Sequence, residues 1–296
     1  ATNRFCYPDE NGCRLLPPLF GEIARETTAV LQKEARGLPF RALGIRKSDA
    51  GKFTAVLHAE SDSSHIRRAA EAWAEEIRRA FPQATGLFLG IGMPEERGVR
   101  YELLCGEAYL CDSFLDLELQ ISPAAFYQVN HGTAELIYKR AGELARLEKS
   151  DTLLDLYCGA GTIGLSMAKN AKTVIGVEIV PEAIKDAEFN AKNNGIENAR
   201  FICADATAAA EQLANEGITA DVVIVDPPRK GCTPEVIETI ADHFKPEKVV
   251  YVSCDSATLA RDIKIFGENG YNLVEYTPCD LFPRTAHVET VALLSR

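Results

Sequence analysis

The residues best able to do chemistry stand at the ends of apolar runs in the second half of the chain. Cys254 follows the run KVVYVS from Lys248, and a helical stretch begins at Ser256. A thiol at a strand-to-helix turn sits near backbone amides that favour the thiolate. On that ground alone Cys254 is either a nucleophile or a packed thiol. Glu289 is an acid at the start of a second apolar run, two residues after His287. Taken singly, Glu289 reads as an exposed strand end and His287 as a structural histidine. Asp226 ends the run DVVIVD and precedes Pro227 and Pro228, which stiffen a turn and aim the acid outward. Upstream, Gly159, Gly161 and Gly164 fit G-x-G-x-x-G directly after a strand, with Glu178 at the end of the next strand. That spacing alone describes a dinucleotide site. Three carboxylates surround it, however: Asp155 just ahead of the glycines, Glu178, and Asp205 at the end of a third strand. Such a ring suits a cationic ligand better than a pyrophosphate. S-adenosylmethionine fits, with Glu178 on the ribose, Asp205 near the adenine, and Asp155 toward the methionyl end or ordering the loop.

A βαβ succession must position these residues. Short apolar runs from Thr152, Thr173, Ala199, Asp221 and Lys248 alternate with helical stretches near 162–170, 181–194, 206–215, 234–243 and 256–267. This pattern predicts a parallel, doubly wound sheet with ligands at the carboxyl ends of its strands. The last two runs, from Tyr271 and His287, have no helix between them and predict a hairpin with one antiparallel strand. Residues 1–20 read as irregular, 21–36 as a helix, Phe53–Ala59 as a strand and Ser64–Phe81 as an amphipathic helix bearing Trp73. Strand-like runs follow from Leu87, Val99 and Phe114, then a connecting helix over 132–147. The fold class expected is α/β, a Rossmann-like and mostly parallel doubly wound domain over 126–296. A smaller α+β domain over 1–125 precedes it.

Composition narrows the classes. A chain of 296 residues suits two domains. No apolar run approaches the about 20 residues of a membrane helix, so no membrane partner is expected. The net charge of −11 argues against nonspecific nucleic-acid binding by the whole chain. Residues 151–296 carry −9 of it and residues 1–150 only −2, so a polyanion would meet the first half. Nine cysteines, an odd number without a C-x-x-C pair, predict free thiols in a reducing cytoplasm. The first residue is Ala1 rather than Met, as in a piece of a longer chain.

Five segments together carry a resemblance. They are ISPAAFYQVN (121–130), DLYCGAGTIGL (155–165), DPPRKG (226–231), YVSCDSATLARD (251–262) and FPRTAHVET (282–290). As a set they resemble the RNA uracil-5-methyltransferase family, which forms 5-methyluridine in 23S rRNA and tRNA. The resemblance implies a class I methyltransferase domain using S-adenosylmethionine, preceded by an RNA-contacting domain. It implies that Cys254 adds to uracil C6 and that Glu289 removes the C5 proton. It places Gln128, Tyr157, Gly159, Thr162, Glu178, Asp205 and Asp226 on the cofactor side of the pocket, and Phe126 and Asp226 near the target base. Thr162 and Asp205 can be Asn in relatives, and Asp255 stands where Asn is common. The segment F-Y-Q-V-N and Cys13 lean to the 23S rRNA branch rather than tRNA, and the family suggests a monomer. Cys13 resembles the fourth ligand of an iron–sulfur cluster whose other three ligands, with a TRAM domain, would lie upstream. A cluster is therefore expected only in a longer chain, and no metal site in this one. Cytosine-C5 enzymes place a Pro-Cys pair after the fourth strand, where Pro227-Pro228 stand here. N-methylating enzymes carry an aromatic residue where Arg229 stands. A catalytically silent RNA-binding module would not need both Cys254 and Glu289, and an NAD-dependent oxidoreductase remains the reading of the glycines alone.

Overall fold

The computed structural model describes residues 16–94, 98–128, 130–283 and 285–296. Cys13 lies outside the described residues. The chain divides into two compact units, one up to Leu110 and one from Cys111 to Arg296.

The first unit contains α1 (Pro18–Glu34), β1 (Phe40–Lys47), β2 (Phe53–Ala59), α2 (Ser64–Ala80), β3 (Ala84–Ile91) and β4 (Arg100–Gly106), with sheet order β1-β2-β3-β4. Helix α2 crosses over between β2 and β3, so that pair is parallel and the other two are antiparallel. Ser63 caps α2 by accepting from Ile66 N–H at 3.2 Å. Ile66, Trp73 and Ile77 of α2 pack with Ile23 and Val30 of α1 against Phe53, Leu57, Leu87 and Leu89 of the sheet. The buried Trp73 indole N–H donates to Thr27 Oγ1 at 3.0 Å, so its burial leaves no donor unpaired. Helix α1 starts earlier than the sequence pattern predicts, because Pro18 is tolerated in a first turn whose N–H groups have no helical partner. Strand β1 escapes sequence reading altogether. Its residues are half-buried or exposed, and Arg41, Gly44, Arg46 and Lys47 blur the alternation.

A hairpin of β5 (Leu110–Phe114), all but its first residue in the second unit, and β6 (Leu117–Ile121) comes next. The sequence run FLDLELQI reads as one strand. It is interrupted because Leu115 and Asp116 adopt φ of 51° and 63°, the left-handed pair of a tight hairpin turn. Neither residue is glycine or asparagine, so the usual turn signal is missing. Then come α3 (His131–Ala145), β7 (Thr152–Leu156), α4 (Thr162–Met167), β8 (Thr173–Glu178), α5 (Pro181–Asn193), β9 (Ala199–Cys203), α6 (Ala206–Asn215) and β10 (Val222–Val225). The unit ends with α7 (Pro234–Thr239), β11 (Lys248–Ser253), α8 (Ser256–Glu268), β12 (Asn272–Cys279) and β13 (Glu289–Ser295).

The sheet order is β12-β13-β11-β10-β7-β8-β9. Every strand is parallel to its fellows except β13, which pairs antiparallel with both β11 and β12. Alternate residues feed two cores. Leu153, Val174, Ile224, Val250 and Val291 face one, packed with α3, α4 and α5. Leu154, Ile175, Val223, Tyr251 and Leu294 face the other, packed with α6, α7 and α8. Burial on both faces explains why these strands read as unbroken apolar runs. The order reverses at β7, which opens a crevice at its carboxyl end. Among the described residues, no helix is long and apolar enough to cross a membrane.

Close packing of β8 depends on Gly176. A Cβ there would lie 2.5 Å from Phe201 Cδ1 and 2.9 Å from Cys158 Sγ. Gly176→Ala is expected to cost about 1–3 kcal/mol by overpacking. Urea denaturation checks it as a lower midpoint at unchanged slope.

Candidate active site

The turn from β7 into α4 is built on left-handed residues. Tyr157, Gly159 and Gly161 have φ of 66°, 54° and 82°. A Cβ at Gly159 would meet nothing within 4 Å, so glycine is needed there for its conformation and leaves open space in front of the turn. Glu178 holds the turn from the neighbouring strand. Its carboxylate accepts from Gly159 N–H at 3.2 Å, Ile179 N–H at 2.7 Å and Val180 N–H at 2.9 Å. Asp155 is buried beneath the turn, and its Oδ2 accepts from Gly164 N–H at 2.9 Å. Its Oδ1 is buried and has no hydrogen-bond partner. Burial pushes this carboxyl up to about 7; the Gly164 N–H opposes the shift and the charge of Glu178 adds to it. Thr162 opens α4, and Asp205 caps α6 by accepting from Thr207 N–H at 2.9 Å.

The segment DPPRKG leaves β10 and folds back on α8. Gly231 turns the chain at φ 75°, where a Cβ would fall 2.3 Å from Thr258 Cγ2 and 2.4 Å from Asp262 Oδ2. Asp262 is fully buried and is the anchor. Its Oδ2 accepts from the Tyr251 hydroxyl at 2.6 Å and Cys232 N–H at 2.9 Å, and its Oδ1 from Arg261 Nε at 2.8 Å. Arg261 also donates to the Lys230 carbonyl at 2.8 Å, and Thr258 Oγ1 to the Arg229 carbonyl at 3.1 Å. The string SATLARD thus braces the turn that carries Asp226 and Arg229. Sequence reading gave Arg261 and Asp262 no role. The available signal was an acid on the buried face of α8 between Leu259 and Phe266. Asp255 caps α8, accepting from Ala257 and Thr258 N–H at 3.0 and 2.9 Å. An aspartate performs this cap as well as an asparagine.

The two candidate catalytic residues meet through strand register. Ser253 of β11 pairs with Thr290 of β13; Cys254 and Glu289 are the next residues beyond that pair, and the charge of Glu289 acts on the Cys254 thiol. On the other flank Glu289 pairs with Cys279 of β12. Residues directly opposed in antiparallel strands point to the same face. Glu289 is buried, so the exposed strand end is excluded, and burial raises its carboxyl while Arg229 opposes. Asp226 is half-buried and pushed up to about 8, by desolvation first, then by the charges of Glu289 and Asp155. The buried Tyr138 hydroxyl lies beside Gln128 and within the fields of Asp226, Asp155 and Glu289. Gln128, Asp226, Cys254 and Glu289 therefore form one cluster, linked through Asp155 to the glycine turn. Tyr157 joins the edge, beside the Cys232 thiol and within the field of Asp205. Phe126 is 69% exposed. It follows Ala125, which is buried in the core. His287 is exposed, and its Nε2 lies 3.5 Å from Arg229 Nη2. Among the described residues no group of His, Cys, Asp and Glu could hold a metal. A shallow hollow of about 500 Å³ beside Lys192, Gly195 and Arg200 lies at the opposite end of the strands and shares no residue with this cluster.

The Cys254 thiol is raised by burial first, then by Glu289 and Asp226, while Arg229 lowers it. Its alkylation by iodoacetamide should therefore accelerate with pH through and beyond 9, the ordinary thiol value. Glu289→Gln should move that rise to lower pH and Arg229→Ala to higher pH, as followed by peptide mapping. Asp262→Ala leaves the buried Tyr251 hydroxyl and Cys232 N–H without their acceptor and should cost about 1–3 kcal/mol, seen as a lower melting temperature.

The model of the tRNA (uracil-5-)-methyltransferase family matches residues 116–296. A Bacillus cereus protein named as an uncharacterized RNA methyltransferase is 44% identical over 225 residues, 75% of this chain and 49% of that protein. One from Caldanaerobacter subterraneus, similarly named, is 42% identical over 268 residues, 90% of this chain and 58% of that protein. The chain spans about half the length of the curated relatives it matches. Among solved structures, the Pyrococcus abyssi tRNA (uracil-54, C5)-methyltransferase in complex with S-adenosyl-L-homocysteine aligns with a TM-score of 0.69 at 24% identity, covering 92% of this chain and 66% of that one. The M. jannaschii tRNA m1G37 methyltransferase gives 0.56 at 17%, covering 91% and 77%. These structures share the methyltransferase fold with this chain. The family match covers more than half of the sequence and includes every catalytic candidate: the chain belongs to the tRNA (uracil-5-)-methyltransferase family.

Proposed function

We propose that this chain carries the catalytic part of an S-adenosylmethionine-dependent RNA uracil-C5 methyltransferase, forming 5-methyluridine in 23S rRNA and acting as a monomer. The observation that carries the reading is the antiparallel register, whose last pair, Ser253 with Thr290, brings Cys254 near the buried Glu289, with the charges of Glu289 and Asp226 both acting on the thiol. The residues also fit the cofactor. The glycine turn has open space in front of Gly159, and the buried Oδ1 of Asp155 lacks a partner. Glu178 and Asp205 add carboxylates on the same strand ends. Bound there, S-adenosylmethionine supplies an electrophilic sulfonium methyl.

The chain's own residues answer the remaining chemical problem. Uracil C5 is too weak a nucleophile to attack a methyl group unaided. The Cys254 thiolate forms a bond to C6, and the C5–C6 π electrons move onto C5 and the O4 enolate. After C5 gains the methyl, the Glu289 carboxylate takes the C5 proton. The C5–C6 double bond re-forms and the thiolate leaves. Asp226 accepts from uracil N3–H, a proton that cytosine lacks. Exposed Phe126 offers a ring on which a flipped base can stack. The α+β part of the chain contacts the RNA. The 23S assignment rests on F-Y-Q-V-N, and transcripts of 23S rRNA and tRNA assayed side by side decide it.

RNA containing 5-fluorouridine, incubated with S-adenosylmethionine, should give a covalent adduct that maps to Cys254, because fluorine cannot leave C5 as a proton. An adduct persisting in Cys254→Ala would sink the nucleophile assignment. On ordinary RNA, Glu289→Gln should lose at least about 100-fold in turnover and accumulate the methylated adduct. Reaction with tRNA alone would overturn the 23S assignment.

A further inference from the structure

Helix α5 meets strand β6 in a way that strand pairing normally would. The edge of β6 and the residue beyond it present backbone groups at 118, 120 and 122. Side chains of α5 and its C-terminal cap, at 194, 190 and 186, answer them. Asn194 Oδ1 accepts from Glu118 N–H at 2.9 Å, and its Nδ2 donates to the Glu118 carbonyl at 2.9 Å. Asn190 does the same for Gln120, at 2.7 and 3.1 Å. Asp186 Oδ2 accepts from Ser122 N–H at 2.6 Å. The match is geometric: four residues of helix rise about 6 Å, close to the about 6.6 Å of two residues of strand.

Asn190 is the unusual rung. It is fully buried, and its Nδ2 also donates to the carbonyl of Ala160 at 3.1 Å, inside the glycine turn. A Cβ added at Gly161 would lie 3.1 Å from Ala187 Cβ, so α5 packs directly on that turn. The other end of the connection is equally short. From Ser122 the chain makes one turn, closed by Ala125 N–H to the Ser122 carbonyl at 3.2 Å, and then reaches Phe126 and Gln128. Beyond them, Asn130 Nδ2 donates to the Leu281 carbonyl at 3.0 Å.

We infer that Asn190 is a positioning residue that couples the glycine turn to the Phe126–Gln128 segment, so that a ligand on the turn sets the segment for the base. The inference rests on the cofactor reading above. A side-chain amide bonded to both elements transmits a shift of one to the other, because losing any of its buried hydrogen bonds is costly. Helix α5 also begins just beyond Glu178, the acid that holds the same turn.

Hydrogen exchange of the full chain, with and without S-adenosylhomocysteine, tests it. In the wild type the ligand should slow exchange at 159–164 and also at least about fivefold at 118–122. In Asn190→Ala it should still slow 159–164 but leave 118–122 within about twofold of the free protein. Asn194→Ala removes a rung without touching the turn and should keep the wild-type response. Circular dichroism identifies conditions in which each variant is folded. Asn190→Asp, which keeps the acceptor and loses both donors, replaces Asn190→Ala if the latter does not fold. As a second readout, adduct formation at saturating S-adenosylmethionine should slow about tenfold in the Asn190 variant, with cofactor affinity changed less. Slowing at 159–164 without slowing at 118–122 in the wild type overturns this inference alone. So does equal loss in Asn194→Ala, which would make the row a simple brace, and so does an unchanged adduct rate. No slowing at 159–164 in the wild type would sink the cofactor reading and this inference together.

Discussion

Everything at the candidate site depends on one strand that runs the wrong way. Strand β13 enters antiparallel between β11 and β12, and its register with both is unbroken at the end that matters. Parallel neighbours would bring carboxyl ends together. An antiparallel neighbour brings its amino end to that rim, and β13 begins with Glu289. The acid is thereby delivered beside the thiol that follows β11, across a sequence gap that no local spacing rule could bridge. The same insertion buries Glu289 on both flanks and raises its carboxyl.

The acids of this unit fall into two groups by how their oxygens are paired. Glu178 receives three backbone amides, and Asp262 receives a tyrosine hydroxyl, an amide and a guanidinium. Acids so paired act as fasteners, one for the glycine turn and one for DPPRKG. Asp155, Asp226 and Glu289 are desolvated without comparable pairing, and all three are pushed upward. A crevice holding such acids favours a ligand that brings positive charge or hydrogen-bond donors. The strongly negative second half of the sequence is therefore compatible with an RNA enzyme, since part of its charge lies at strand ends rather than on an RNA-facing surface.

Rigid placement of the site comes largely from side chains bonding backbone. Asn130, Asp186, Asn190, Thr258 and Arg261 each hold a backbone group of an irregular segment that no sheet ladder could reach. Irregular backbone at the carboxyl rim must have its N–H and C=O groups satisfied somehow. Here the satisfying groups are spread over α3, α5 and α8, which makes the helices parts of the site as well as covers for the sheet.

The βαβ order, the carboxyl-end location of the glycine turn and DPPRKG, and the antiparallel terminal hairpin are all legible in the residues alone. Periodicity and punctuation are local, and each of these features is written within a few neighbouring residues. Family resemblance added Cys254, Glu289 and Gln128 as a set. Local patterns missed β1, whose half-exposed residues do not alternate, and the turn at Leu115–Asp116, where Leu115 is atypical of left-handed backbone. Packing between distant elements is what buries Glu289 beside Cys254, lets Arg261 and Asp262 clamp a loop thirty residues upstream, and ties a strand to the glycine turn through Asn190. Those facts are hydrogen bonds and desolvation between elements distant in the chain. A residue's type can permit them, but only the packed sheet and its helices set the partner and the exclusion of water that give them their effect.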